Sequence, residues 1–248
     1  MSKLIKVKAL SLNSRPLGEK DRLLTLFSRE QGKLSAVAPG ARKVKSKLAA
    51  AVELFTCGNY LLHRGRSLFT VTQAEQEQGF PNIRRNITLY ASGIYFGELV
   101  EKTVEESEAS PELFELLLQV WQLLDQGQVE PALLARYFEL KLLDLLGYRP
   151  HLESCTHCGL ERGPVFWSDS AGGAVCQACC GEEQTNFALS RGTCALAQAL
   201  LKMSPGKLAN VRVWEQQHGE LKRLVHSFLQ YWVLAGPIKS FAFLEEHL

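Results

Sequence analysis

The sequence predicts an α+β chain in two parts: a small N-terminal β-barrel, then an all-helical domain that carries a cysteine-rich insert. Three observations predict it. Short runs of alternating apolar residues fill the first 80 positions, and after Pro81-Asn82 the apolar period turns helical. Late in the chain, Cys155, Cys158, Cys176 and Cys179 form two C-x-x-C knuckles with seventeen residues between them.

The strands come first. Lys3 to Leu10 nearly alternates, with Ile5, Val7 and Ala9 on one face and Lys6 and Lys8 on the other. Leu23 to Phe27 is a second strand. Gln31-Gly32 turns the chain into a third, Lys33 to Ala38. Val52 to Leu62 and Ser67 to Ala74 pair as a hairpin across His63-Arg64-Gly65-Arg66. Five short strands over about seventy residues suit a small barrel, and the OB-fold is the commonest barrel of this kind that binds nucleic acid. The expected domains are therefore 1–80 and 81–248, with the insert at about 150–185.

The helices follow. From Ile87 to Gly147 the period is helical, and Tyr90, Ile94, Leu99 and Val100 suggest one apolar face. Ser110-Pro111-Glu112 reads as a helix start: a capping hydroxyl, proline at the first helical position, and a carboxylate at the positive end of the dipole. Leu113, Phe114, Leu116, Leu117, Val120, Trp121 and Leu124 then form a wide apolar stripe. Pro131 opens a further helix through Leu133, Leu134, Tyr137, Phe138, Leu142 and Leu145, which Gly147 closes. Ser190 caps a helix through Cys194 to Met203, and Leu221 to Leu234 is the last, stopped by Gly236-Pro237. The helices on either side of the insert are expected to pack together.

The cysteine spacing is that of a tetrahedral structural zinc site. A redox pair would need an exposed low-pKa thiol near a βαβ pattern, whereas these knuckles lie among loop formers: Gly159, Gly163, Pro164, Gly172 and Gly173. Four protein thiolates leave no open coordination position, so one structural Zn2+ is expected and no catalytic one. His157, inside the first knuckle, and Cys180, beside Cys179, are alternative ligands at one position.

Composition bounds the rest. Of 248 residues, 46% are apolar and 22% charged, which excludes a disordered chain. Seven cysteines, four in metal spacing, point to a reducing compartment, and Cys57 and Cys194 read as small buried residues. Met1 to Leu12 lacks a signal-type apolar run, and no stretch nears the roughly 18 apolar residues of a membrane span. A cytoplasmic, nucleoid-associated protein with no membrane partner is expected. Residues 1–80 hold fourteen Lys/Arg against six Asp/Glu, and residues 81–248 hold fourteen against twenty. A basic head on an acidic body points to a polyanion ligand. Its focus is Arg42-Lys43-Val44-Lys45-Ser46-Lys47, four cations within six residues between two strands, with Arg15, Lys20 and Arg22 upstream. Such heads neutralise phosphates without reading sequence. Phe27, Phe55, Tyr60 and Phe69 are potential stacking partners, although burial is the better reading for each ring taken singly.

Ser14-Arg15-Pro16-Leu17-Gly18-Glu19-Lys20-Asp21-Arg22-Leu23-Leu24, Gln31-Gly32-Lys33 and Ala38-Pro39-Gly40-Ala41-Arg42 resemble the N-terminal signature of the bacterial RecO family of DNA repair proteins. Phe138 to Leu143 with Leu146-Gly147-Tyr148 resembles its central helix, and the four cysteines and Leu189 to Thr193 match in order. The resemblance covers nearly the whole chain. It implies an N-terminal OB-fold, a helical domain, and a zinc ribbon kept by only some members. It also implies a recombination mediator without enzymatic activity. Such a mediator binds single- and double-stranded DNA and anneals strands. With RecR it helps RecA replace single-strand-binding protein (SSB). Where the family often has a basic residue this chain has Pro39, which moves the expected contacts to Arg42, Lys43, Lys45 and Lys47. Arg15, Lys20, Arg22 and Lys33 complete the expected DNA-contacting set. The family's helical domain is expected to hold the acidic, Phe-ending tail of SSB, and Arg136, Tyr137 and Phe138 are the matching residues.

Two other readings stand beside this one. A metal-dependent nucleic-acid enzyme lacks its parts: no His-x-Glu beside the cysteines, no two-metal carboxylate cluster, no glycine-rich phosphate loop. A zinc-containing adaptor would act through protein contacts with little direct DNA binding.

Overall fold

The computed structural model describes residues 4–161, 165–181 and 184–247. Lys3, Gly163 and Pro164, used above, lie outside them. In chain order the elements are β1 (Leu4–Leu17), β2 (Asp21–Ser28), β3 (Gly32–Ala38), β4 (Thr56–Arg64), β5 (Phe69–Gly79), α1 (Pro81–Arg85), α2 (Ile87–Thr103), α3 (Pro111–Gln126), α4 (Pro131–Leu145), β6 (Val165–Ser168), β7 (Gly173–Cys176), β8 (Phe187–Leu189), α5 (Arg191–Lys202), a 3-10 turn (Pro205–Asn210), α6 (Glu215–Trp232) and α7 (Lys239–His247). They form two compact units, Met1–Gly127 with Ile238–Leu248, and Gln128–Pro237. Among the described residues no helix is long and apolar enough to cross a membrane.

The first unit begins with a closed barrel in the order β1-β2-β3-β5-β4. All its pairings are antiparallel except β3 with β5, which is the OB-fold arrangement. Alternation builds its core. On β3, Leu34, Ala36 and Ala38 are buried while Lys33, Ser35 and Val37 face outward. Val7, Ala9, Leu24, Leu26, Tyr60, Leu62 and Val71 fill the interior with them.

β1 runs seven residues past its expected end at Leu10 because a bulge between Ser11 and Asn13 bends it from β4 onto β2. β4 starts at Thr56 and not at Val52. Val52 lies in the turn-rich segment before it and packs into the barrel core with Ala41.

Helices α1 to α3 and α7 complete this unit. Proline opens α3 and its apolar stripe is buried as expected, but the Ser110 side chain makes no capping hydrogen bond. On α2, Leu99 and Val100 are buried and Tyr90 and Ile94 only half-buried, while Ala91, Tyr95 and Phe96 take core positions. The helix contacts α1, α3, α7 and β1, so one apolar face does not describe it. α7 follows Gly236-Pro237, read from sequence as the end of helical structure. Its start is fixed where the Glu98 carboxylate accepts the backbone N–H groups of Lys239 (3.0 Å) and Ser240 (2.8 Å).

Gly32 shows how tightly the helical segment meets the barrel. Its φ is +65°, and a side chain there would overlap the Glu108 carbonyl. Gly32→Ala is expected to destabilise the first unit by about 3 kcal/mol or more, read as a lower denaturant midpoint at constant slope.

In the second unit α4 packs against both α5 and α6, so the helices flanking the insert do meet. Ser190 caps α5 by accepting the Thr193 N–H, and the helix begins at Arg191, before the expected Cys194. α6 begins at Glu215, ahead of the expected Leu221, because its first turns are polar and show no apolar period. The insert is a three-stranded sheet ordered β7-β6-β8. It is pinned to α6: the Asp169 carboxylate accepts Trp167 Nε1 (2.6 Å) and Ser227 Oγ (3.0 Å), and the Asp169 carbonyl accepts Trp232 Nε1 (2.8 Å).

Candidate nucleic-acid interface and metal centre

Strand register gathers two loops at one end of the barrel. Leu17 pairs with Asp21 and Arg22 with Ala38, so the β1–β2 turn adjoins the loop that follows β3. Ala36 pairs in parallel with Phe69, so the β4–β5 turn that precedes Phe69 points toward the Gly32 end of β3, opposite to these two loops. In OB-folds these turns flank the β2–β3 face where oligonucleotides bind.

The basic residues divide into anchors and exposed heads. Arg42 is an anchor: its Nη1 donates to the Gly18 carbonyl at 2.5 Å and its backbone N–H to Lys20 at 3.0 Å. Gly40 N–H donates to Asp21 Oδ1 at 2.7 Å, which further ties the loop to the turn. Arg22 Nη1 donates to the Ser14 carbonyl (3.3 Å) and hydroxyl (3.2 Å). Arg15, Lys20, Lys43, Lys45 and Lys47 are exposed. Lys33 is not brought to this cluster. It sits at the opposite end of β3, half-buried, with its amine donating to the Glu101 carbonyl at 2.6 Å.

Sequence reading missed Arg64 and Arg66, which are exposed on the β4–β5 turn. They read only as a turn, and the β3–β5 pairing places that turn toward the Gly32 end of the barrel, away from the basic loop. Of the four rings considered for stacking, Phe27, Phe55 and Tyr60 are fully buried and Phe69 is half-buried. The outward residues of β2 and β3 near the loops are Leu23, Thr25, Ser35 and Val37. This face can meet phosphates with amines and sugars or bases with aliphatic groups, but it has no aromatic platform.

The second unit holds the cysteine cluster. The Sγ atoms of Cys155, Cys158, Cys176 and Cys179 all lie within 4.8 Å of one another, and those of Cys158 and Cys176 are 3.6 Å apart. Tetrahedral Zn–S bonds of about 2.3 Å require sulfurs about 3.8 Å apart, so the donor set fits. Cys180 and His157 are not in the cluster, and the Cys180 thiol donates to the Gln177 carbonyl instead.

The knuckles aim backbone N–H groups at sulfur. Burial raises the Cys155 thiol, but hydrogen bonds from the backbone of Cys158, Cys176 and His157 outweigh it and bring it to about 6. The neighbouring Cys158 and Cys176 sulfurs push Cys179 up to about 12. One thiolate forms readily and resists the next, a charge conflict that a bound divalent cation resolves.

Residues 1–80 match the family model for the N-terminal part of recombination protein O, and residues 84–241 match the model for its C-terminal part. The chain belongs to the RecO family. It is 41% identical over 244 residues to the DNA repair protein RecO of Pelotomaculum thermopropionicum, covering 98% of this chain and 94% of that protein. It is 34% identical to RecO of Desulforamulus reducens, covering 98% and 94%, and 33% identical to RecO of Moorella thermoacetica, covering 99% and 92%.

The RecO-like central helix corrects one expectation. Arg136, Tyr137 and Phe138 on α4 are all buried, and Arg136 Nη2 donates to Glu139 Oε1 at 2.8 Å in an ion pair closed to solvent. A pattern of buried apolar neighbours on both sides of Arg136 draws it inward. These residues offer no exposed cation to a peptide. Arg136→Ala leaves Glu139 buried without this partner and is expected to cost about 3–5 kcal/mol, measured by chemical denaturation.

Proposed function

We propose that this RecO-family protein is a DNA-binding recombination mediator. It holds single- and double-stranded DNA on the basic end of the barrel, promotes annealing, and with RecR helps RecA replace SSB in the nucleoid. The observation that carries this reading is the convergence of two basic loops at one end of an OB barrel, with the heads of Lys43, Lys45 and Lys47 exposed. The binding is electrostatic and indifferent to sequence, and base pairing between the held strands supplies specificity. No bond is made or broken, so no catalytic residue is needed.

The ion at the four cysteines is taken to be zinc, in a structural role: all four positions are protein thiolates and none remains for water. The SSB tail is assigned a site other than Arg136. A cavity of about 430 Å³ in the second unit is lined by Val129, Leu133, Leu208, Val211, Arg212 and Trp214. Arg212 and Trp214 are exposed over an apolar floor, which suits a terminal Phe beside carboxylates.

An annealing assay with donor- and acceptor-labelled complementary strands tests the proposal, using the full-length protein and strands either bare or coated with SSB. Faster annealing in both cases is the expected result. A protein that binds SSB but neither shifts nor anneals DNA would favour the adaptor reading and overturn this one.

A further inference from the structure

The first unit contains a second cleft, apart from the basic loops, of about 670 Å³. This lies within the range of ligand sites, roughly 300–1,000 Å³. It runs between the barrel and the helices α2 and α7. Leu12, Tyr90 and Ile94 give it apolar walls, and Lys33, Lys102 and Lys239 bring amines from three separate elements.

Two carboxylates also line it, Glu98 and Glu101. Glu98 is already engaged. It accepts two backbone N–H groups at the start of α7 and faces Lys102 at 3.8 Å. Burial alone would raise its pKa, but the hydrogen bonds from Ser240 and Lys239 hold it below the usual range. It is a fixed, charged part of the wall, so three amines face two carboxylates and the cleft keeps a small positive balance.

The ring of Tyr90 is held edge-on against Phe55, with centroids 5.4 Å apart and planes at 87°. Tyr90 therefore supplies here the aromatic surface that the β2–β3 face lacks. An amine-lined cleft with a fixed, half-buried aromatic ring is the chemistry that tracks a single strand: phosphates on lysines and a base on the ring.

The position fits a separate strand. Lys33 lies five residues along β3 from Ala38, the residue before the basic loop. At about 3.4 Å per residue that is about 17 Å on one strand of a closed barrel. We propose that this cleft holds a second single strand of DNA while the basic loops hold the first, so that one chain presents two strands for pairing. This rests on the reading that the loops bind DNA.

The test uses full-length protein and two non-complementary oligonucleotides, one carrying a donor dye and one an acceptor. Energy transfer reports both strands on one chain at protein concentrations where it is monomeric by light scattering, and anisotropy of one strand alone reports the first site. The paired variant Lys102→Ala/Lys239→Ala and the single variant Tyr90→Ala are expected to lower two-strand capture tenfold or more. First-strand affinity should stay within twofold. Tyr90→Phe, which keeps the ring, should behave as the parent protein.

If the cleft variants capture the second strand normally while Lys43→Ala/Lys45→Ala/Lys47→Ala loses binding, the cleft assignment is overturned and the loop reading stands. If the cleft variants lose both strands together, the two sites are not separate and the proposal is again overturned. If the loop variant binds its strand normally, the loop reading itself fails.

Discussion

Replacing Lys43, Lys45 and Lys47 together with alanine is expected to weaken single-strand binding and flatten its dependence on salt. If the loops neutralise about five phosphates, log affinity falls with log salt at a slope near −3.5, about 0.7 per contact on single strands. Removing three contacts leaves a slope near −1.4. Between 50 and 200 mM salt the parent protein then loses about 130-fold in affinity and the variant about 7-fold. Arg42 is left in place because its guanidinium holds the Gly18 carbonyl, and its loss would disturb the loop as well as the charge. Anisotropy titrations across the salt range give both slopes. An unchanged slope would move the phosphate contacts away from this loop.

Removing the metal is the second large perturbation. The insert's strands are only four, four and three residues long, and its buried cluster centres on Cys155, Val175 and Cys176. So small a core cannot fold by burial alone. Structural zinc contributes an apparent binding free energy of about 10–16 kcal/mol at neutral pH in small zinc modules, which is the scale of stabilisation lost here. Chelation, or Cys155→Ala, is therefore expected to melt the insert. The disturbance should reach α6, since Asp169 joins the two through Ser227 and Trp232. Trp167 and Trp232 fluorescence should change early in a thermal scan, well below the transition of the barrel. DNA affinity of the chelated protein should stay near that of the parent as long as the barrel is folded. Loss of DNA binding ahead of the tryptophan signal would give the metal a different role.

What could be read from the sequence follows from which signals are local. The α3 stripe from Leu113 to Leu124 and the alternation of β3 are local patterns, and both appear in the fold as expected. The cysteine knuckles are local too, and their four sulfurs converge. Non-local facts were out of reach. Arg64 and Arg66 lie away from the basic loops because β3 and β5 run parallel. Lys33 leaves the cluster because strand direction carries it to the opposite end of β3, where a helical carbonyl takes its amine. Arg136 lay beside a recognisable motif, but its direction was set by tertiary packing that places Glu139 one turn away in the core. The Ser110 hydroxyl had the right sequence for a cap and does not form it.

The central claim is that DNA sits on the loop end of the barrel, and hydrogen exchange of the full-length protein with and without a single-stranded oligonucleotide tests it most directly. Protection is predicted at residues 18–22 and 39–47, with the insert around the cysteines unchanged. Protection confined to the second unit, with these two segments exchanging as in the free protein, would contradict it.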